Sequence, residues 1–161
     1  MSSKIIVIVG LPGSGKTYLG KKLTEDTGFE FLDDVTKTQM GRLKALLDEG
    51  KSCIVSDPNL VIEPIRKSAA EYLAKFPNLE IEWIFFENNP KQCMNNVTRR
   101  NDGRKVFGFI EAFSKKYVVP DGAKVVKVYS NAKSRTGIPE TIQQRTPQVD
   151  IDPRQNNPKG C

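Results

Sequence analysis

The apolar run Ile5 to Val9 leads directly into Gly10-Leu11-Pro12-Gly13-Ser14-Gly15-Lys16-Thr17. The octapeptide fits G-x-x-x-x-G-K-[ST], a phosphate-cradling loop that works only between a strand and the start of a helix. Both flanks are present. Lys4 to Val9 is rich in Ile and Val and alternates little, as a strand buried on both faces of a parallel sheet does. A helical pattern continues through about Thr27, and Gly28 takes the left-handed position that commonly closes a helix. In the loop, Gly10, Gly13 and Gly15, with Pro12 and Ser14 between them, let backbone N–H groups and the helix N-terminus turn towards an anion. Lys16 is then expected to bridge the β- and γ-phosphates of ATP, and the Thr17 hydroxyl to hold Mg²⁺.

Strand-like and helix-like segments alternate along the chain after this point. Phe29 to Leu32 reads as a second strand ending at Asp33-Asp34, and a helix is predicted from about Thr36 to Asp48, closed by Gly50. Cys53 to Ser56 is a third strand, followed by the loop Asp57-Pro58-Asn59-Leu60. Glu63 to Phe76 is helical, with Pro64 tolerated in the first turn. Ile81 to Phe86, a helix from Pro90 to Arg100, a helix from about Phe109 to Tyr117 and a strand Lys124 to Tyr129 complete the pattern. The alternation predicts an α/β fold with a parallel sheet flanked by helices. Residues 1–130 form the expected domain. Asn131 to Cys161 holds Pro139, Pro147, Pro153 and Pro158 and no aromatic residue, so it is expected to be an extended or disordered tail.

The 161 residues suffice for one such domain with its own core, not for two. The chain has no histidine, so a general base must be a carboxylate or a lysine, and Ser/His or Cys/His dyads are excluded. Cys53, Cys93 and Cys161 show no CxxC spacing, which argues against a disulfide framework and a structural zinc site. The net charge of +6 favours anionic partners such as nucleotides or nucleic acid. No run approaches a membrane span or a targeting segment, so the expected location is the cytoplasm, without a membrane partner.

Asp57, at the carboxyl end of the third strand, is expected to share the crevice with the phosphate loop and to orient Mg²⁺ through water; the plainer reading is an aspartate that opens the Asp-Pro turn. Asp33 or Asp34 can take the proton of an attacking hydroxyl. Asp34 is also placed to cap the next helix, which favours Asp33 as the base. The basic segment Arg99 to Lys105 has the makings of a lid, with Arg100 and Arg104 closing on the triphosphate.

The phosphate loop with its P-G-S-G-K core, Gly28-Phe29 leading to Asp33-Asp34, and Ser56-Asp57-x-Asn59-Leu60 together resemble the kinase domain of phage-type polynucleotide kinase. Arg100-Asn101 and Arg104 lie at the corresponding lid position, and the likeness covers roughly residues 1–130. The resemblance implies the P-loop NTPase fold, and likeness to other P-loop kinases implies the strand order 2-3-1-4-5. It further implies transfer of the ATP γ-phosphate to the 5′-hydroxyl of DNA or RNA, with Asp33 as base, Lys16 and Thr17 serving ATP and Mg²⁺, and Arg104 on phosphate. Thr36 stands where that family carries an acceptor-gripping arginine, and the phosphatase domain that often accompanies such kinases is not expected within these residues. A nucleoside, nucleotide or modified-base acceptor therefore remains open, as does a non-catalytic ATP-binding protein.

Overall fold

The computed structural model describes residues 2–100, 106–130 and 141–142. Its centre is β1 (Ser3–Val9), with Ile5 to Val9 all buried, as a strand covered on both faces must be. Each such side chain taken from water contributes roughly 1.5–3 kcal/mol. β3 (Cys53–Ser56) and β4 (Leu79–Phe86) pair with β1 on either side; β2 (Glu30–Leu32) pairs with β3, and β5 (Lys124–Val126) with β4. All these pairings are parallel, giving the order 2-3-1-4-5 expected from the P-loop resemblance. The parallel run brings the carboxyl ends of β1, β2 and β3 to one edge, where ligands bind in open α/β sheets.

Helices connect these strands: α1 (Lys16–Thr27), α2 (Val35–Thr38), α3 (Met40–Asp48), α4 (Glu63–Leu73), α5 (Pro90–Arg100) and α6 (Phe107–Lys116). Gly28 closes α1 with φ 79°, its N–H reaching the Thr24 carbonyl, as read from the sequence. α1 comes close to the sheet at Gly20, where a Cβ would stand 2.4 Å from the Phe31 ring.

Three details differ from the sequence reading. The helix expected from Thr36 to Asp48 is broken at Gln39 (φ −120°, ψ 10°) into α2 and α3. Three of the four α2 residues, Val35, Thr36 and Thr38, are β-branched and resist a long helix. β5 stops at Val126, not Tyr129, because the Val128 N–H turns to the Glu87 carboxylate and the Tyr129 N–H to the Ser14 carbonyl. Thr141–Ile142 adds β6, a short antiparallel strand against β5. The rest of the expected tail lies outside the described residues, as does the part of the expected lid at 101–105 with Arg104. Among the described residues no helix is long and apolar enough to cross a membrane.

Candidate active site

Between β1 and α1 the chain makes a tight arc. Gly13 (φ 85°) and Gly15 (φ 111°) hold left-handed backbone that L side chains avoid. Space forbids a side chain too: a Cβ on Gly15 would stand 1.9 Å from the Tyr129 ring, and one on Gly13 2.6 Å from the Cys93 carbonyl oxygen. Gly10, at the arc's entry, packs against Ser14 and Phe86. The Ser14 carbonyl accepts from the Tyr129 N–H at 3.2 Å. A trans peptide therefore turns the Gly15 N–H away from the Tyr129 N–H.

Lys16 is buried and donates from Nζ to the Leu11 carbonyl at 2.9 Å. Burial brings its pKa down to about 8, against the pull of Cys93, Asp33, Asp34 and Asp57. The Ser14 hydroxyl is buried without a hydrogen-bond partner among the described residues. Cys93 and Cys53 are buried free thiols, each pushed up to about 12 by burial, so neither offers a nucleophile at neutral pH.

The carboxylates follow from the strand ends. Asp33, half-buried after β2, accepts from the Thr17 hydroxyl at 2.9 Å, from the Ser56 hydroxyl at 2.9 Å and from the Asp34 N–H at 3.0 Å. Thr17 and Asp33 are thus brought together. Asp34 occupies the N-cap position of α2 with φ 50° but makes no capping bond. Its carboxylate has no hydrogen-bond partner among the described residues, and it lines the cleft. Burial raises its pKa, and the neighbouring Asp33 and Asp57 add to that rise.

Asp57 is 1% exposed and committed elsewhere: it accepts from the Thr36 N–H at 2.8 Å, the Thr36 hydroxyl at 2.5 Å and the Asn59 N–H at 2.8 Å. In doing so it opens the 3₁₀ turn Pro58–Val61. The residues lining the cleft do not include it.

The cleft, about 340 Å³, is lined by Pro12, Gly13, Gly15, Lys16 and Thr17 of the phosphate loop, by Asp33, Asp34 and Pro58, and by Arg100 from the end of α5. Tyr18 and Lys21 line it as well; Lys21 lies four residues beyond Thr17 on α1, a spacing from which its place was readable. Ser56 was legible only as a neighbour of Asp57. Nothing local marked Tyr129, which reaches the loop from beyond β5 and lies 4.6 Å, ring to ring, from Tyr18.

These residues fit a nucleotide with its metal. The arc leaves no room for a side chain at Gly13 or Gly15, the Gly15 N–H faces away from Tyr129, and a lysine and a threonine hydroxyl stand at the arc's end. Among the described residues no cluster of three or more carboxylate, thiol or imidazole groups forms a cage of its own. A site with one hydroxyl and nearby carboxylates suits Mg²⁺ held mainly by phosphates and water.

No protein-family model matches the chain. Among solved structures, a gluconokinase from Sinorhizobium meliloti 1021 aligns with a TM-score of 0.57 at 17% identity, covering 78% of this chain and 82% of that one. A fungal RNA kinase aligns with a TM-score of 0.56 at 15% identity, covering 83% and 79%. At these identities the likeness establishes the fold, that of the P-loop kinases. The "Uncharacterized protein R277" of Acanthamoeba polyphaga mimivirus is 32% identical over 128 residues, which span 77% of this chain and 93% of that protein. The chain therefore belongs to the same family as this mimivirus protein, a family carried here on the P-loop kinase fold.

Proposed function

We propose that the chain transfers the γ-phosphoryl group of ATP to an acceptor hydroxyl, the 5′-hydroxyl of a polynucleotide being the acceptor its residues fit best. The observation that carries the reading is the 2.9 Å contact of the Thr17 hydroxyl with the Asp33 carboxylate, in a cleft that Lys16 and Arg100 also line. That contact puts a candidate base beside the residue that would hold the metal.

Bound Mg·ATP supplies the activated phosphoryl group and neutralises its charge. The loop amides and Lys16 hold the phosphates, and Thr17 offers its hydroxyl to the metal while still donating to Asp33. Asp33 uses its remaining lone pair to accept the acceptor's proton as the oxygen–phosphorus bond forms and the bond to ADP breaks. Arg100, and Arg104 from the segment outside the described residues, supply positive charge where the transition state spreads negative charge. Asp57 acts on the metal only at a remove: it fixes the turn behind Asp33 and, through Thr36, the wall beside it.

Support for a polynucleotide acceptor comes from Ser56-Asp57-x-Asn59-Leu60, from the place of Asp33, from the net charge of +6 and from a fungal RNA kinase sharing the fold. Thr36, in place of an acceptor-binding arginine, favours a smaller acceptor as the second reading. Incubation with γ-labelled ATP and 5′-hydroxyl oligonucleotides, nucleosides and nucleotides, with Lys16→Ala as control, separates the two. Label on oligonucleotides is the expected result. Label on nucleosides or nucleotides alone would move the chain to the second reading, and nucleotide binding without any transfer would make it a non-catalytic ATP-binding protein.

A further inference from the structure

On α5, Cys93, Asn96, Val97 and Arg100 follow the spacing of one helix face, and that face meets the phosphate loop. The Cys93 carbonyl and a Val97 methyl stand 2.6 and 2.9 Å from where a Cβ on Gly13 would be, and Arg100 lines the cleft one turn further on. Between them Asn96 makes two long-range bonds through Nδ2, to the Gly13 carbonyl at 2.9 Å and to the Tyr129 carbonyl at 2.8 Å. Gln92 Nε2 donates to Asn96 Oδ1 at 2.9 Å, which fixes the amide's orientation. Both amide hydrogens and the amide oxygen are therefore engaged.

Asn96 and Tyr129 clamp consecutive peptides of the arc from outside. Asn96 holds the Gly13 carbonyl outward, while on the same peptide plane the Ser14 N–H closes on Leu11 at 3.1 Å. The Tyr129 N–H holds the Ser14 carbonyl, and Asn96 in turn holds the Tyr129 carbonyl. A Gly13 carbonyl free to rotate inward would set its negative end against a phosphate. Glycine, with its open backbone, has little of its own to prevent that rotation.

We infer that Asn96 is a positioning residue: it locks the Gly13–Gly15 arc in its anion-receiving shape and makes that shape depend on the helix that carries Arg100. The inference rests on the reading of the arc as a nucleotide site, and it predicts that phosphate affinity and lid-helix position are coupled through one amide.

Calorimetric titration of the full chain with Mg²⁺ and a non-hydrolysable ATP analogue, at a temperature well below each variant's Tm, tests this. Asn96→Asp keeps the shape but turns a carboxylate on two carbonyls, so Kd should rise on the order of tenfold to a hundredfold. Asn96→Ala should cost about tenfold, and Gln92→Ala, which only unfixes the amide, less than that. A double-mutant cycle of Asn96→Ala with Arg100→Ala should be non-additive. A merely structural Asn96 would lower Tm and leave Kd and additivity untouched; that result overturns the inference while the nucleotide site stands. Should Asn96→Asp not fold, the alanine variants and the cycle decide between the same two outcomes. Failure of the wild type to bind the analogue would overturn both the site and the inference.

Discussion

Gly13, Ser14 and Gly15 are held from several sides, by Cys93 and Asn96 of α5, by Leu11 and by Tyr129, whereas Asp34 to Thr38 stands on a single helical turn with most of its side chains in water. Both stretches wall the same cleft. The first would receive a triphosphate, which presents the same oxygens whatever the acceptor, and its geometry is over-determined. The second would meet the acceptor; among the described residues it is tied to the rest of the fold by the buried Val35 and by the bonds of Thr36 to Asp57, and it breaks at Gln39. On the proposed function, a rigid nucleotide wall facing a more lightly held acceptor wall would let one fold change its acceptor at low structural cost.

The strongest attempt to break the comparison sets a substitution in the arc against the same substitution just beyond the second stretch. Gly15→Ala drives a methyl group to 1.9 Å from the Tyr129 ring at a φ of 111°. We expect loss of measurable Mg·ATP binding and a stability loss of about 3 kcal/mol or more. Gly41→Ala on α3, where nothing stands within 4 Å of the new methyl, should leave binding intact and raise stability by roughly 0.5–1 kcal/mol. Denaturant unfolding and calorimetry read both; a Gly15→Ala protein that binds nucleotide normally would erase the contrast.

Next in size is the junction of the walls. Asp33→Asn should lower kcat by about 10²- to 10⁴-fold, the range of a lost general base, and barely change the Kd of Mg·ATP. Asp34→Asn, which removes a carboxylate without hydrogen-bond partners among the described residues, should cost far less. Steady-state kinetics with the acceptor found by label transfer decides between them. A larger loss for Asp34→Asn would assign the base to it.

Lys16 gives the nucleotide wall a pH signature. Its folded pKa of about 8 lies below the ordinary 10.5, so the folded state disfavours its charge. The resulting penalty on the free protein is fully present below about 8 and relieved as pH climbs from about 8 to 10.5. Lys16→Met should therefore be more stable than wild type at pH 7, with the gap narrowing over that window. Nucleotide affinity should run the other way: bound phosphates need the charged amine, so Kd should rise by up to about tenfold per pH unit above 8. Parallel titrations of wild type and Lys16→Met test the sign, because the variant's Kd should not share that slope.

How legible each wall was in the sequence follows the same divide. The nucleotide wall is written in contiguous residues, since a buried strand, three glycines, a lysine and a threonine state both the shape and its purpose. The strand pattern gave the parallel sheet, and the resemblance gave its order. Contacts between distant segments were not legible. Asn96 reads as one more polar helix residue until its partners, 83 and 33 positions away, are seen. Asp57 reads as a carboxylate at a strand end, and nothing local shows that Thr36, 21 residues earlier, donates to it. The β5 boundary moved for a like reason, since Tyr129 leaves the ladder to bond Ser14. Local pattern records what a residue prefers, and long-range hydrogen bonds decide which preference is used.

The smallest expected effect lies on the acceptor wall and shows how lightly it is held. Thr36 gives Asp57 two bonds, one from its N–H and one from its hydroxyl. Thr36→Val keeps the β-branched shape and the backbone bond and removes only the hydroxyl. The buried Asp57 retains the N–H groups of Thr36 and Asn59, so the variant should lose about 1.5 kcal/mol of stability, the low end for one hydrogen bond to a carboxylate. Its consequence for activity should be one-sided: a several-fold rise in acceptor KM as the α2 turn loosens, with the Kd of Mg·ATP unchanged. An equal loss at both substrates would mean that the Asp57–Thr36 link also braces the phosphate loop, through the Ser56–Asp33–Thr17 chain beside it. The two walls would then be one unit, and the freedom ascribed to the acceptor side would belong to neither.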